Sequence, residues 1–291
     1  MNKRKDLAML HLAVAMFGMA GVIGKFVSWP AAAVTFGRVL FSSLFLLIFM
    51  SVKKEKIRPD CIGDLLFMAA AGVVMAVHWT SFIHSIQISS VAVGTITFAA
   101  FPLFVTFLEP LLYHERLKTG NIIISLIMLA GVAVTIPQFS LQNNVTAGVM
   151  WGMVSSFTYA VLSLMNRKLS NKYSGRQICL HEQGTATLIL LPFAAVFTAN
   201  VIKGEIIIDF SEVAAVVFMG IVCTAAAHSM FISSLKNVKV HTAGIISGME
   251  TVYSIIFAMI LLHDMVTLRE VIGGVVILGA SLYKTLRSDS D

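Results

Sequence analysis

Ten apolar runs of about twenty residues, separated by short basic or neutral connections, fill this chain almost end to end. A helix needs about 20 mainly apolar residues to cross a hydrocarbon core of about 30 Å. Reading for such runs predicts spans near 7–28, 31–52, 62–86, 91–112, 120–137, 145–166, 178–199, 212–235, 241–262 and 268–285. The runs are continuously apolar rather than alternating, which excludes β-barrel strands. Only 12% of the 291 residues are charged, about half of what a soluble globular chain carries. The expected fold is an all-α membrane protein of ten transmembrane helices. The three cysteines, Cys61, Cys179 and Cys223, lack CxxC spacing and imply neither a disulfide framework nor a zinc site.

Loop charge orients the spans. With the N-terminus inside, seventeen of the 21 Lys and Arg fall in cytoplasmic segments, and the outer loops keep only Lys203 and Arg269. The positive-inside rule then places both termini in the cytoplasm. The net charge of +6 is thereby read as topology, with no nucleic-acid partner implied. The basic start followed by an apolar run also has the look of a signal peptide. However, Phe17-Gly18 is echoed by Trp151-Gly152, so the first run is expected to belong to the fold.

A second echo is longer. Phe82, Ile83, Ser85, Val91, Ile96 and His114-Glu115 recur 149 residues later as Phe231, Ile232, Ser234, Val240, Ile245 and His263-Asp264. Five spans per copy is an odd number, so the second copy must be inverted. A 5+5 inverted-topology repeat is the usual architecture of a carrier, with the solute bound near the midplane between the halves.

These stretches resemble the drug/metabolite transporter superfamily, specifically its EamA-type members. The resemblance is carried by Phe17-Gly18 and Trp151-Gly152, by Arg38-Val39-Leu40 in span 2, and by Glu115 and Asp264 after spans 4 and 9. The closing small-residue patches Leu129-Ala130-Gly131-Val132 and Leu278-Gly279-Ala280 also carry it. It covers nearly the whole chain, as two EamA-like units of 7–137 and 145–285. The second unit departs from the pattern in having Asp264 for Glu and no Arg in span 7. The resemblance implies transport of an amino acid, metabolite, sugar or drug in a cell or inner membrane, more often outward than inward. It names no substrate.

Charged groups at membrane depth are costly and normally face a cavity or a partner, so candidate site residues are sought there. Aligning span 2 with span 7 puts Arg38 and Glu182 at equivalent points, either as a pair or as two poles for a solute. Glu250, nine residues into span 9, is the deepest acid and would hold a cation or exchange a proton. Coupled protons are therefore a candidate partner beside the small solute and the lipid bilayer. His78 and Trp79 in span 3 face His228 in span 8 across the repeat, Trp79 aligning with His228. Tyr159 and Tyr253 are candidate cavity hydroxyls. Pro102 predicts a kink or hinge in span 4. Lys25 and Glu109 are read as snorkelling residues or, for Lys25, a cavity group, and His11 and His84 as interfacial. Spans 5 and 10 hold no interior charge and are expected at the periphery. Gly148/Gly152 and Gly244/Gly248 are expected to bring helices close within the bundle.

No metal-ligand spacing, phosphate-binding loop, HExxH or GxSxG is present, so neither a metal site nor a cofactor is expected. The expected protein is a gradient-driven secondary transporter working by alternating access rather than an enzyme. The competing readings are an intramembrane enzyme and a non-transporting receptor or assembly factor. A monomer suffices, since both halves lie in one chain, and a dimer stays open.

Overall fold

A computed structural model describes residues 3–113, 119–137, 140, 142–234 and 240–287, with backbone alone at 3–7, 112–113, 232–234, 240–245, 281 and 284–287. His114, Glu115, Arg116, Lys118, Lys236 and Lys239 lie outside the described residues, as do the side chains of Ile232, Ser234, Val240 and Ile245. Helices joined by short connections make up the described residues, with no strand among them: α1 (Lys3–Phe26), α2 (Ala31–Val52), α3 (Ile62–Ile88), α4 (Val91–Phe98), α5 (Phe101–Tyr113), α6 (Thr119–Thr135), α7 (Asn144–Ser170), α8 (Gly175–Ile202), α9 (Phe210–Gly220), α10 (Ala227–Ser234), α11 (Val240–Leu261) and α12 (Leu268–Arg287). Seven stretches among them are long and apolar enough to span a membrane. The sequence-predicted spans map onto these helices within a few residues, and the fold is all-α.

Two spans are not the plain helices expected. The fourth breaks after Phe98 and restarts as α5 at Phe101, because Pro102 has no N–H to continue the ladder. The Ser156 hydroxyl of α7 donates to the Thr97 and Phe98 carbonyls at the break, at 2.7 and 3.1 Å. The eighth runs as α9, a π turn over Ile221–Ala226, and α10. Hydrocarbon offers freed backbone groups no partner, so such irregularities survive only where side chains from the bundle reach them.

Close helix approaches occur at small residues. A Cβ on Gly72 would lie 2.5 Å from the Glu182 carbonyl, which fixes how tightly α3 meets α8. Likewise Gly152 meets Thr97, and a Cβ on Gly220 would sit 2.8 Å from the Arg38 carbonyl, joining α9 to α2. Gly131 and Gly273 bring α6 against α12. Of the second expected pair, Gly248 has only Leu278 within reach, at 3.9 Å, and Gly244 falls where the backbone alone is described.

The bundle has two chemically different ends. At one, α1 and α3 cap each other. The Lys25 ammonium donates to the Ile86, Gln87 and Ser89 carbonyls at 3.1, 3.1 and 2.7 Å, closing the end of α3. The Gln87 amide donates to the Gly24, Val27 and Trp29 carbonyls at and beyond the end of α1, at 3.2, 3.2 and 2.9 Å. Lys25 therefore neither snorkels nor lines the central cavity: its three donors satisfy helix-end carbonyls whose partial negative charge favours a cation. From the other repeat, Glu212 accepts from the Ser28 backbone N–H and the Trp29 Nε1–H, both at 2.7 Å, and Glu270 accepts from the Ser90 hydroxyl at 2.9 Å. At the opposite end the links are ionic: Arg176 to Glu55 at 2.7 Å, Lys172 to Asp64 at 2.5 Å, and Arg167 to Glu109. Glu109 is thus ion-paired rather than simply snorkelling. The bond to Asp64 holds the Lys172 ammonium above its ordinary pKa.

Glu212→Ala should loosen the Trp29 end. Each charge-assisted hydrogen bond lost is worth about 1.5–3 kcal/mol, and amide exchange at residues 27–30 should rise while the Arg176 end stays protected. Glu212→Gln should rescue little, because its amide nitrogen would face a donor; hydrogen exchange read by mass spectrometry checks both variants.

Candidate functional site

Between the two ends, seven of the ten spans converge on a cavity of about 50 Å3. That is room for a few waters and not for a metabolite. Arg38, His78, Trp79 and Phe82 form its buried side, while Phe17, Tyr159, His228 and Glu250 are only partly buried. Phe98, at the break of the fourth span, completes the aromatic lining.

Arg38 is 3% exposed and is held by two neighbours. Its Nε donates to Thr224 Oγ1 at 2.7 Å, and its guanidinium lies 3.9 Å from the Trp79 ring centroid. A planar cation stacked on an indole is favourable where water is excluded. The π turn is what presents Thr224. Its hydroxyl donates to the Met219 carbonyl five residues back, at 2.9 Å, and accepts from Arg38. The Thr224 carbonyl meets His228 Nδ1 at 3.2 Å. π turns of this sort recur at functional sites.

The aromatic wall is continuous. His228 lies 5.9 Å from Trp79 and 4.8 Å from Phe17, centroid to centroid. His78 stacks 5.1 Å from Tyr159 and 5.5 Å from Phe98, and its Nδ1 is 3.0 Å from both the carbonyl and the hydroxyl of Ser155. Tyr159 meets Phe101 edge-on at 4.9 Å. Glu250 is brought to the cavity by Gly18: a Cβ there would stand 3.2 Å from the Glu250 carbonyl and 3.0 Å from the Ser254 nitrogen, so α1 and α11 touch backbone to backbone. None of the described ion pairs joins Glu250 to Arg38, although both line the cavity.

Six of the eight candidate binding residues thus share this cavity: Arg38, His78, Trp79, Tyr159, His228 and Glu250. The structure places two elsewhere. Glu182 is fully buried where α8 packs on α3, with Asn166 of α7 beside it, and it forms no described ion pair with Arg38. Tyr253 packs with Leu10, Val14 and Ile246, and its hydroxyl meets His11 Nδ1 at 2.9 Å. His84 lies edge-on to Trp151 at 5.2 Å. Pro102 lies just past the break in the fourth span and accepts from Thr106 through its carbonyl at 2.9 Å. Neither α6 nor α12 lines the cavity. Sequence reading passed over Thr224, which became visible only with the π turn, and Phe98, whose position depends on the break after it.

The model of the EamA-like transporter family matches residues 5–136 and again 146–284. The chain belongs to the EamA-like transporter family. EamA relatives include an uncharacterized transporter of Archaeoglobus fulgidus, 25% identical over 275 residues and 94% of each chain. Two others are the uncharacterized transporter YxxF of Bacillus subtilis, 23% identical over 88% of this chain and 82% of its own, and the uncharacterized inner membrane transporter YicL of Salmonella typhimurium, 22% identical over 99% and 97%. A crystal structure of a protein 14% identical superposes over 99% of both chains with a TM-score of 0.65, a likeness of fold alone. With its apolar helices, this EamA protein is a multi-pass membrane transporter.

Thr224→Val should leave the buried Arg38 Nε–H without its acceptor. The loss is expected to cost about 1.5–3 kcal/mol, read as a lowered unfolding midpoint in detergent micelles, and Thr224→Ser should restore most of it.

Proposed function

We propose that the protein is a gradient-driven secondary transporter of the plasma membrane that moves a small zwitterionic solute, such as an amino acid, outward by alternating access. The observation that carries this reading is the pair of opposite charges lining one aromatic cavity without an ion pair between them. Arg38 supplies a pole for a carboxylate, since its guanidinium presents a planar fork of donors. Glu250 supplies the pole for an ammonium. Trp79, His78, Tyr159 and His228 offer faces to the part of the solute between.

The small cavity fits a conformation in which the solute site is collapsed. The hydrogen bonds at the Trp29 end support reading that end as closed, and the partial exposure of Phe17, Tyr159, His228 and Glu250 supports entry of a solute past them. Loop charge assigns the ionic end, with Glu55, Lys172 and Arg176, to the cytoplasm together with both termini. Opening outward then requires the Trp29 end to release its caps while the cytoplasmic ion pairs hold, with the break beside Pro102 as a hinge. The relatives' names, transporters in each case and an inner membrane transporter for YicL, agree with this location.

A thermal-shift screen of the purified protein against amino acids, sugars, nucleosides and cations tests the reading. Zwitterionic amino acids should stabilise the wild type. Arg38→Ala and Glu250→Gln should each weaken that binding roughly ten- to hundredfold, the loss of one charged hydrogen-bonded pole. Stabilisation by sugars alone, unaffected by either substitution, rejects the zwitterion, and lack of flux in reconstituted vesicles rejects transport.

A further inference from the structure

Glu182 is the one acid of α8's interior, and it does not share the solute cavity. Its exposure is 0%. The Asn166 amide is the polar group beside it, yet no hydrogen bond of normal geometry reaches either carboxyl oxygen, and Asn166 Oδ1 is likewise unpartnered. An ionised carboxylate in that position would have neither cation nor solvent, a state that costs several kcal/mol or more. The neutral acid is the form that fits.

The titratable groups on the surrounding helices are engaged elsewhere. On α2, Arg38 is held by Thr224 and Trp79. On α3, Asp64 binds Lys172 and Tyr173, and His78 binds Ser155. On α7, Arg167 pairs with Glu109, Lys168 lies over the Phe67 ring at 5.0 Å, and Tyr159 lines the solute cavity. His228 of α10 meets the Thr224 carbonyl. On α8 itself, Arg176 pairs with Glu55 and His181 meets the Ile57 carbonyl. Among the described groups, the Cys179 thiol, one turn back and itself buried, is the titratable neighbour that interacts with the carboxyl.

Position adds the second half of the argument. Glu182 stands seven residues into α8, about 10 Å along the helix from the ionic end where Arg176 holds Glu55. At this level α3 and α8 pack closely, Gly72 lying against the Glu182 carbonyl itself. Water can reach the carboxyl only if these helices part.

We propose that Glu182 is a proton-binding site separate from the solute cavity, protonated while α3, α7 and α8 are packed and deprotonated when they separate. The O–H bond then breaks toward water entering from the Arg176 end, and the carboxylate left behind is hydrated until the helices close and a proton returns. This rests on the transporter reading, since a moving bundle is what exposes the group, and it gives that reading a driving ion.

Infrared difference spectroscopy on the full chain in lipid vesicles, with the pH stepped from acid to alkaline and no solute added, tests the site. The wild type should lose a protonated-carboxyl C=O band at alkaline pH, and that band should be missing from Glu182→Gln and displaced in Glu182→Asp. Amide exchange over 175–190, corrected for intrinsic rate, should rise at alkaline pH in the wild type and not in Glu182→Gln. A difference spectrum that neither variant alters, or a Glu182 band that persists at every pH, overturns the proposal. Because the readout is protonation without solute, either result leaves the zwitterion screen unaffected.

Discussion

Every polar group at membrane depth has to find its partner inside the protein, because hydrocarbon supplies none. This constraint organises the molecule from its ends inward. Lys25 and Gln87 exchange places as caps, each closing carbonyls at the other's helix end. Glu212 then ties this mutual cap to the second repeat through Ser28 and Trp29. In the middle of the bundle Ser156 does the same for the break before Pro102. The helices can depart from ideal geometry where the cavity needs it because these side chains absorb the loose backbone groups.

The cavity obeys the same rule with one exception. Arg38 is satisfied by Thr224 and Trp79, and His78 by Ser155. Glu250 reaches the same space without an ion-pair partner among the described residues. The cationic side of the site is therefore rigid and preorganised, and the acidic side is free to respond. Such an asymmetry suits the proposed solute site, which would hold its solute firmly in one conformation and release it in another.

Much of this was legible in the sequence, for identifiable reasons. Ten spans follow from run length alone, and the inverted alignment paired Trp79 with His228, which lie 5.9 Å apart. The same alignment paired Arg38 with Glu182 and misplaced the acid. Span 7 is apolar around most of its circumference, so hydropathy does not define which face turns inward, and packing at Gly72 turned Glu182 away. Tyr253 failed for a related reason: it lies three residues, close to one turn, from Glu250, but Gly18 lets α1 come so close that the tyrosine is directed to His11 instead. Sequence reading passed over Glu212 and Gln87 altogether. Their partners are 184 and about 60 residues away, a separation that no local pattern encodes.

The π turn at 221–226 has a consequence for the half-helix beyond it. It accommodates one residue more than an α-helix would in the same stretch, and each helical residue advances the side chains by about 100°. The azimuth of α10, and with it the side of the bundle on which His228 emerges, is therefore set by six residues that lie before it. Were those residues to tighten into regular α-helix, the Thr224 hydroxyl would leave Arg38 and the imidazole would swing off the cavity wall, with an axial shift of only about 1.5 Å. A local change of winding is in this way equivalent to rewriting the chemical lining of the cavity.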